Sequence, residues 1–289
     1  MTSARAWDGV FSAPHAGRVP KPRRIGLNIV IDKSLGTRAL ADLLETAGSA
    51  VDHIKFAFGT SVAISEDVVR AKVEMIRAAG IEVYPGGTLG EAAVLQGVLP
   101  QYLQRARDLG FTMVEVSDGT ISMTAEVRAE YIGRALDLGL GVISEVGKKD
   151  PRHQMAVSRM QALIASDLNL GASYVVIEAR ESGHGVGIYD ATGAVDQVEL
   201  AALVNGLQDL ERIIWEAPQT SQQAYLLQRF GVNVNLGNIP PLDVLAVEAL
   251  RSGLRFETLR PLAAERGMLA ADEGFIARFL TAAQDSIGA

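Results

Sequence analysis

Along most of the chain a short apolar run gives way to a polar or glycine-rich cluster. A stretch follows whose apolar residues recur every three or four positions. The runs occupy residues 26–32, 52–58, 81–85, 111–117, 140–146, 173–179, 211–217 and 233–236. Their spacing is roughly thirty residues, the length of one strand–helix unit. Nearly continuous apolar character predicts strands covered on both faces, as in a parallel sheet. The intervening stretches predict helices. Ser65 stands where a cap belongs, with Glu66 and Asp67 in the first turn at the positive end of the helix dipole. Val69, Val73 and Ile76 then share a face, and Gly80 stops the helix. Segments 128–138 and 155–170 end in the same way at Gly139 and Gly171.

Eight such units predict a closed (β/α)8 TIM barrel, an α/β fold of one domain. An open doubly wound sheet is the rival, weakened because no GxGxxG follows the first strand. Residues 1–24 are expected to be an N-terminal extension and 25–254 the barrel catalytic domain. Residues 255–289 are expected to be a C-terminal helical extension, with an amphipathic helix at 271–284.

Composition narrows the function classes. At 48% apolar and 21% charged, the 289 residues can bury a sizeable core. The net charge of −7, without a lysine-rich block, argues against nucleic acid as a partner. Zero cysteines exclude disulfides, thiolate metal sites and a cysteine nucleophile. No apolar run approaches the roughly 18 residues of a membrane span, and the first residues lack the apolar stretch of a signal peptide. A cytoplasmic protein that avoids membranes is expected.

Catalytic groups of such a barrel come from the C-terminal ends of its strands. Glu115, Glu145, Glu178 and Glu216 close four successive runs, and converging acids favour a hard cation, Mg2+ above all. Lys33, Lys55, Lys148, Lys149 and Arg180 gather at the same ends, which in an acidic protein implies an anionic ligand. A lysine inside an apolar strand, as at Lys55, needs a partner or a function. Glycine-rich loops at residues 85–88 and 182–185 could turn backbone N–H groups toward phosphate or sulfonate oxygens. The four histidines (His15, His53, His153 and His184) show no zinc spacing, and neither GxSxG nor GxxxxGK[ST] occurs.

The strand-end strings resemble the phosphosulfolactate synthase family. They are Ile31-Asp32-Lys33, Ile54-Lys55-Phe56 through Gly59-Thr60-Ser61, Val83 to Leu89, Glu115 to Gly119, Glu145 to Lys149, Glu178 to Gly183, Glu216 to Gln223 and Val234 to Ile239. The match runs in order from about Lys21 to Arg255. It implies a Mg2+-dependent barrel enzyme that adds sulfite to phosphoenolpyruvate, and a homo-oligomer, trimers among the known forms. It also implies a general acid in the lysine pair, Lys149 with Lys148 next to it. Lys33, Lys55 and Arg180 would hold phosphate or sulfite. Thr60, Ser61, Gly87, Thr88, Ser117, Asp118, Ser182, Gln222, Asn235 and Asn238 would line the substrates, and Glu145, Glu178 and Glu216 would hold the metal. Three departures stand out: Ser34 for a usual glycine, Phe58 for a usual tryptophan, and Gly90 for a usual aromatic. The lost bulk at 58 and 90 predicts a wider mouth. A related barrel enzyme with another nucleophile, or a non-catalytic barrel, are the competing readings.

Overall fold

In the computed structural model, which describes residues 6–268, the eight runs form eight parallel strands. They are β1 (Asn28–Asp32), β2 (His53–Phe56), β3 (Glu82–Pro85), β4 (Met113–Val116), β5 (Gly141–Val146), β6 (Tyr174–Ile177), β7 (Ile213–Glu216) and β8 (Asn235–Ile239). They pair in the order β3-β2-β1-β8-β7-β6-β5-β4. Because β1 lies beside β8, the sheet curls into a barrel and the doubly wound alternative falls away. At the β3–β4 seam a hydroxyl replaces part of the ladder. Thr112 N donates to Val83 O at 3.0 Å, and Val83 N donates to Thr112 Oγ1 at 2.9 Å.

The helices α1 (Thr37–Ala47), α2 (Glu66–Ala78), α3 (Gly87–Leu95), α4 (Leu99–Asp108), α5 (Ala125–Asp137), α6 (Val157–Asn169), α7 (Gln197–Asn205), α8 (Thr220–Phe230) and α9 (Val244–Arg251) surround the barrel, with α10 (Phe256–Glu265) after it. Val69, Val73 and Ile76 of α2 are buried as their spacing predicts, each giving about 1.5–3 kcal/mol of hydrophobic stabilisation. Helix α5 begins three residues before the predicted start, because the Thr124 hydroxyl caps it by accepting from Val127 N at 3.3 Å. The predicted helix at 271–284 lies outside the described residues.

The N-terminal segment straps the barrel's N-terminal end. Arg18 pairs with Glu248 at 2.6 Å and Arg23 with Asp52 at 3.0 Å, while Val19 N donates to Asn233 Oδ1. Among the described residues, no helix is long and apolar enough to cross a membrane.

Side chains alternate across each strand, so the barrel interior is layered. Ile29, Tyr84, Met113, Ile143, Val176 and Ile214 form one apolar layer. Two residues further along four of those strands stand Glu115, Glu145, Glu178 and Glu216. Lys55 joins them from β2, two residues beyond His53. All five are buried. A charged layer therefore rests directly on an apolar one at the C-terminal end of the barrel.

Candidate active site

The charged layer floors a cavity of about 410 Å³ at the barrel mouth. Lys55 Nζ lies 3.0 Å from Glu216, 3.2 Å from Glu115 and 3.9 Å from Glu145. Lys149 Nζ reaches over the cluster from the loop after β5, 3.2 Å from Glu145 and 3.4 Å from Glu178. Backbone and hydroxyl donors fix the acids. Gly87 N donates to Glu115 at 2.7 Å, Ala179 N to Glu216 at 2.9 Å, Arg180 N to Glu178 at 2.6 Å, and Ser117 Oγ to Glu145 at 2.7 Å.

Four carboxylates face two ammoniums, so burial and neighbouring charge push these groups in different directions. Burial pushes the Glu115 carboxyl up to about 7 against the pull of Lys55. Burial, and then the charges of Glu145 and Glu216, raise Glu178 well above the carboxylate range. Burial also raises Glu216. At Glu145 burial is outweighed by the Lys149 and Lys55 ammoniums, which hold it low and ionised. Burial works against both lysines, yet their carboxylate neighbours keep Lys55 and Lys149 above the usual lysine range. Glu145, Glu178 and Glu216 each offer a carboxylate oxygen within 4.8 Å of the others, and the neighbour of Glu178 Oε2 is the Lys149 ammonium at 3.4 Å. Three carboxylate oxygens gathered this closely fit a hard divalent cation.

The mouth above this floor is strained. Three non-glycine residues take left-handed backbone conformations, Phe58 (φ 53°), Arg180 (φ 60°) and Asn238 (φ 55°), and all three line the cavity. Arg180 is exposed there, and no carboxylate pairs with its guanidinium among the described residues. Asn238 donates to Arg180 O at 3.4 Å, leaving its buried Oδ1 unpaired. Lys33 stands at the rim, 3.9 Å from Glu181 and 6.0 Å from the centre of the Phe58 ring.

The structure thus brings Lys55, Lys149, Arg180, Asn238, Gly87, Thr88 and the three glutamates to one cavity. Others among the expected residues serve the walls. Lys148 spends its ammonium on Asp118 O, on Asp118 Oδ2 at 3.0 Å and on Ile121 O at 3.0 Å. Asp118 is shared between Lys148 and Arg128. Ser117 reaches the site only through Glu145. Thr60 donates to Ala57 O at 2.9 Å, and Ser61 lines a separate cavity with Val69 and Tyr102. Ser182 is exposed, and its carbonyl accepts from Gln219. Gln222 holds Gly183 O and Gly193 O, tying down the loop after β6.

Asn235 lies at the opposite end of the barrel. Strand β8 runs to Ile239, so residue 235 begins it, accepting from Leu27 N and donating to Ile213 O. Three amides of the anticipated glycine cradles are spent internally. Gly86 N donates to Phe56 O, Gly87 N to Glu115 and Gly185 N to Asp190 O. Gly87 is required for packing, since a Cβ there would stand 2.4 Å from Ser117 Cβ. Nor does Gly90 widen the mouth: a Cβ on it would meet Tyr131 Oη at 2.0 Å, so the tyrosine of α5 fills that space. Glu91 went unread in the sequence. It is buried in α3 and accepts from Thr120 N at 2.7 Å, and its signal was a lone acid among alanines and glycines.

Residues 16–257 match the family described as (2R)-phospho-3-sulfolactate synthase. The phosphosulfolactate synthase of Methanothermobacter thermautotrophicus is 45% identical over 252 residues, 86% of this chain and 96% of that protein. That of Methanocaldococcus jannaschii is 43% identical over 235 residues, 81% of this chain and 93% of that protein. Among solved structures, the 3-hexulose-6-phosphate synthase of Salmonella typhimurium shares the barrel alone. Its TM-score is 0.50 at 13% identity, covering 78% of this chain and 99% of that one. The chain belongs to the phosphosulfolactate synthase family, enzymes of the carbon–sulfur bond-forming lyase class.

Proposed function

We propose that this enzyme adds sulfite to phosphoenolpyruvate in the presence of Mg2+, giving 2-phospho-3-sulfolactate, with Lys149 as general acid. The observation that carries this reading is the position of Lys149. Its ammonium stands at a cavity floored by acids, between two carboxylates that also belong to a three-carboxylate cluster. An ammonium has three donors. Two of them face Glu145 and Glu178, and the side chain keeps 29% exposure, so the third is free for the cavity.

Both substrates are anions. The unpaired Arg180 guanidinium and the rim ammonium of Lys33 supply the opposite charge that draws them in. The sulfur lone pair forms a bond to the methylene carbon of phosphoenolpyruvate. The carbon–carbon π pair moves toward the substrate carboxylate, and Lys149 delivers its proton to the neighbouring carbon, leaving the phosphate ester intact. Holding the ammonium between two carboxylates keeps it charged until the anions arrive. Mg2+ held by Glu145, Glu178 and Glu216 would offset the surplus charge of the layer and act as a Lewis acid toward the carboxylate. Lys55, enclosed by three glutamates, balances their charge rather than touching substrate.

Calorimetric titration of EDTA-treated protein with Mg2+ tests the metal assignment. One binding site is expected, lost in both Glu178→Gln and Glu216→Gln. Unchanged binding in both variants would refute it.

A further inference from the structure

The general acid sits on a loop, and loops hold a side chain to catalytic tolerance only when something pins them. Here the pinning runs back to one buried arginine outside the cavity. Arg128, on α5, is 4% exposed and directs its donors at three different elements. Toward α6 it grips Asp167 through Nε at 2.9 Å and Nη2 at 2.6 Å. Toward β5, Nη2 donates to Glu145 O at 3.0 Å, behind the strand residue whose carboxylate contacts both lysines. Toward the loop after β4, Nη1 donates to Asp118 Oδ1 at 3.2 Å.

Asp118 carries the constraint onward. Its second oxygen accepts from Lys148 at 3.0 Å, so one carboxylate joins Arg128 to the residue preceding Lys149. Lys149 N donates to Gly119 O at 3.0 Å. Its aliphatic stem lies against Gly119, where a Cβ would stand 3.2–3.3 Å from three of its carbons. A simple ion pair between two helices would need only Arg128 and Asp167. The remaining bonds lead to β5, which carries Glu145, and to the loop after β4, against which Lys149 packs.

We infer that Arg128 is a positioning residue of the reaction, fixing Lys149 through Asp118 and Lys148 and fixing Glu145 through its carbonyl. Lys148 is then part of this clamp and gives no proton. The inference rests on the reading of Lys149 as the acid. A lysine at position 128 keeps the charge and the pairing with Asp167, but as a point donor it cannot also span Glu145 O and Asp118. A displacement of about 1 Å in a reacting group costs on the order of 100-fold in rate.

The test compares Arg128→Lys with Asp167→Asn. Arg128→Lys is expected to lower kcat by about 10- to 100-fold, with KM for phosphoenolpyruvate within about threefold. Asp167→Asn, which removes neither Glu145 O nor Asp118 as a partner of Arg128, is expected to lower Tm and keep kcat within about twofold of the parent. A readout free of turnover is available because the chain has six lysines, at positions 21, 33, 55, 72, 148 and 149. In lysine-labelled protein, Arg128→Lys should shift the side-chain NMR signals of Lys148 and Lys149 and leave those of Lys21 and Lys72 in place. Unmoved Lys149 signals with kcat unchanged would overturn the inference, as would kcat losses that track Tm equally in both variants. If Arg128→Lys fails to fold, Asp118→Asn carries the same expectations. Should the parent protein prove inert toward sulfite and phosphoenolpyruvate, the reaction fails but the lysine signals still decide the clamp.

Discussion

Both ends of this barrel bury charge, and they do so differently. At the N-terminal end Arg18, Arg23 and Arg251 meet Asp52, Glu248 and Asn28. Glu248 accepts from Arg18 and Asn28, Asp52 accepts from Arg23 and from Asn28 N, and Arg251 donates to Asn28 Oδ1. Surplus arginine donors end on main-chain oxygens such as Gly26 O and Leu27 O. None of these six residues has an unpaired buried side-chain oxygen or nitrogen. At the mouth, four carboxylates share two ammoniums, Asn238 keeps an unpaired oxygen, and three side chains sit on left-handed backbone. Buried charge alone is therefore no sign of chemistry. A charge surplus alone is no sign either, since three arginines meet two carboxylates at the N-terminal end. The sign is surplus charge lining an open cavity on strained backbone, because a fold bears that cost only where something else completes the site.

The comparison breaks most visibly at Lys149. Lys149→Met should lower kcat by about 100- to 10,000-fold in steady-state assays, the range of a lost general acid, without unfolding the protein. Next come matched carboxylates. Glu178→Gln replaces an acid that resists ionisation, so metal-free Tm should hold or rise while turnover is lost. Glu248→Gln removes the acid that pairs with Arg18, so stability should fall by about 2 kcal/mol, below the 3–5 of fully buried pairs, with kcat within twofold. Thermal unfolding beside a rate assay reads both.

A smaller effect lies in pH. The Glu115 carboxyl is raised to about 7 when folded, so between the unfolded carboxylate range and pH 7 the folded state binds the additional proton. Its contribution to stability is present at low pH and is lost as pH rises through that window. Metal-free protein should therefore lose stability over this interval, and Glu115→Gln should flatten the slope. Smallest of all is Ser61→Ala, in a separate cavity, which should leave kcat within twofold in the same assay.

The barrel was legible in the sequence because strands covered on both faces are apolar runs and glycine ends the helices between them. The acids were legible for the same reason, each being a charge two residues beyond an inward apolar side chain, as with Ile143 and Glu145. What the sequence concealed was commitment. Lys148 and Lys149 are adjacent and chemically equal, yet one spends its three donors on Asp118 and Ile121 while the other faces the cavity. The amides at 86 and 87 read as an anion cradle but close internal bonds. Asn235 read as the end of a strand, because Gly237 and Asn238 resembled a loop. They continue the ladder instead, Gly237 pairing with Glu216. Such outcomes depend on tertiary partners far away in sequence, which local pattern does not encode.

The central claim is that this unbalanced mouth joins two anions, and phosphorus NMR tests it most directly. Protein incubated with phosphoenolpyruvate, sulfite and Mg2+ should yield a new phosphate-ester resonance that disappears with EDTA, without sulfite, or in Lys149→Met. Phosphoenolpyruvate left unchanged by folded protein with all three components present would contradict the account.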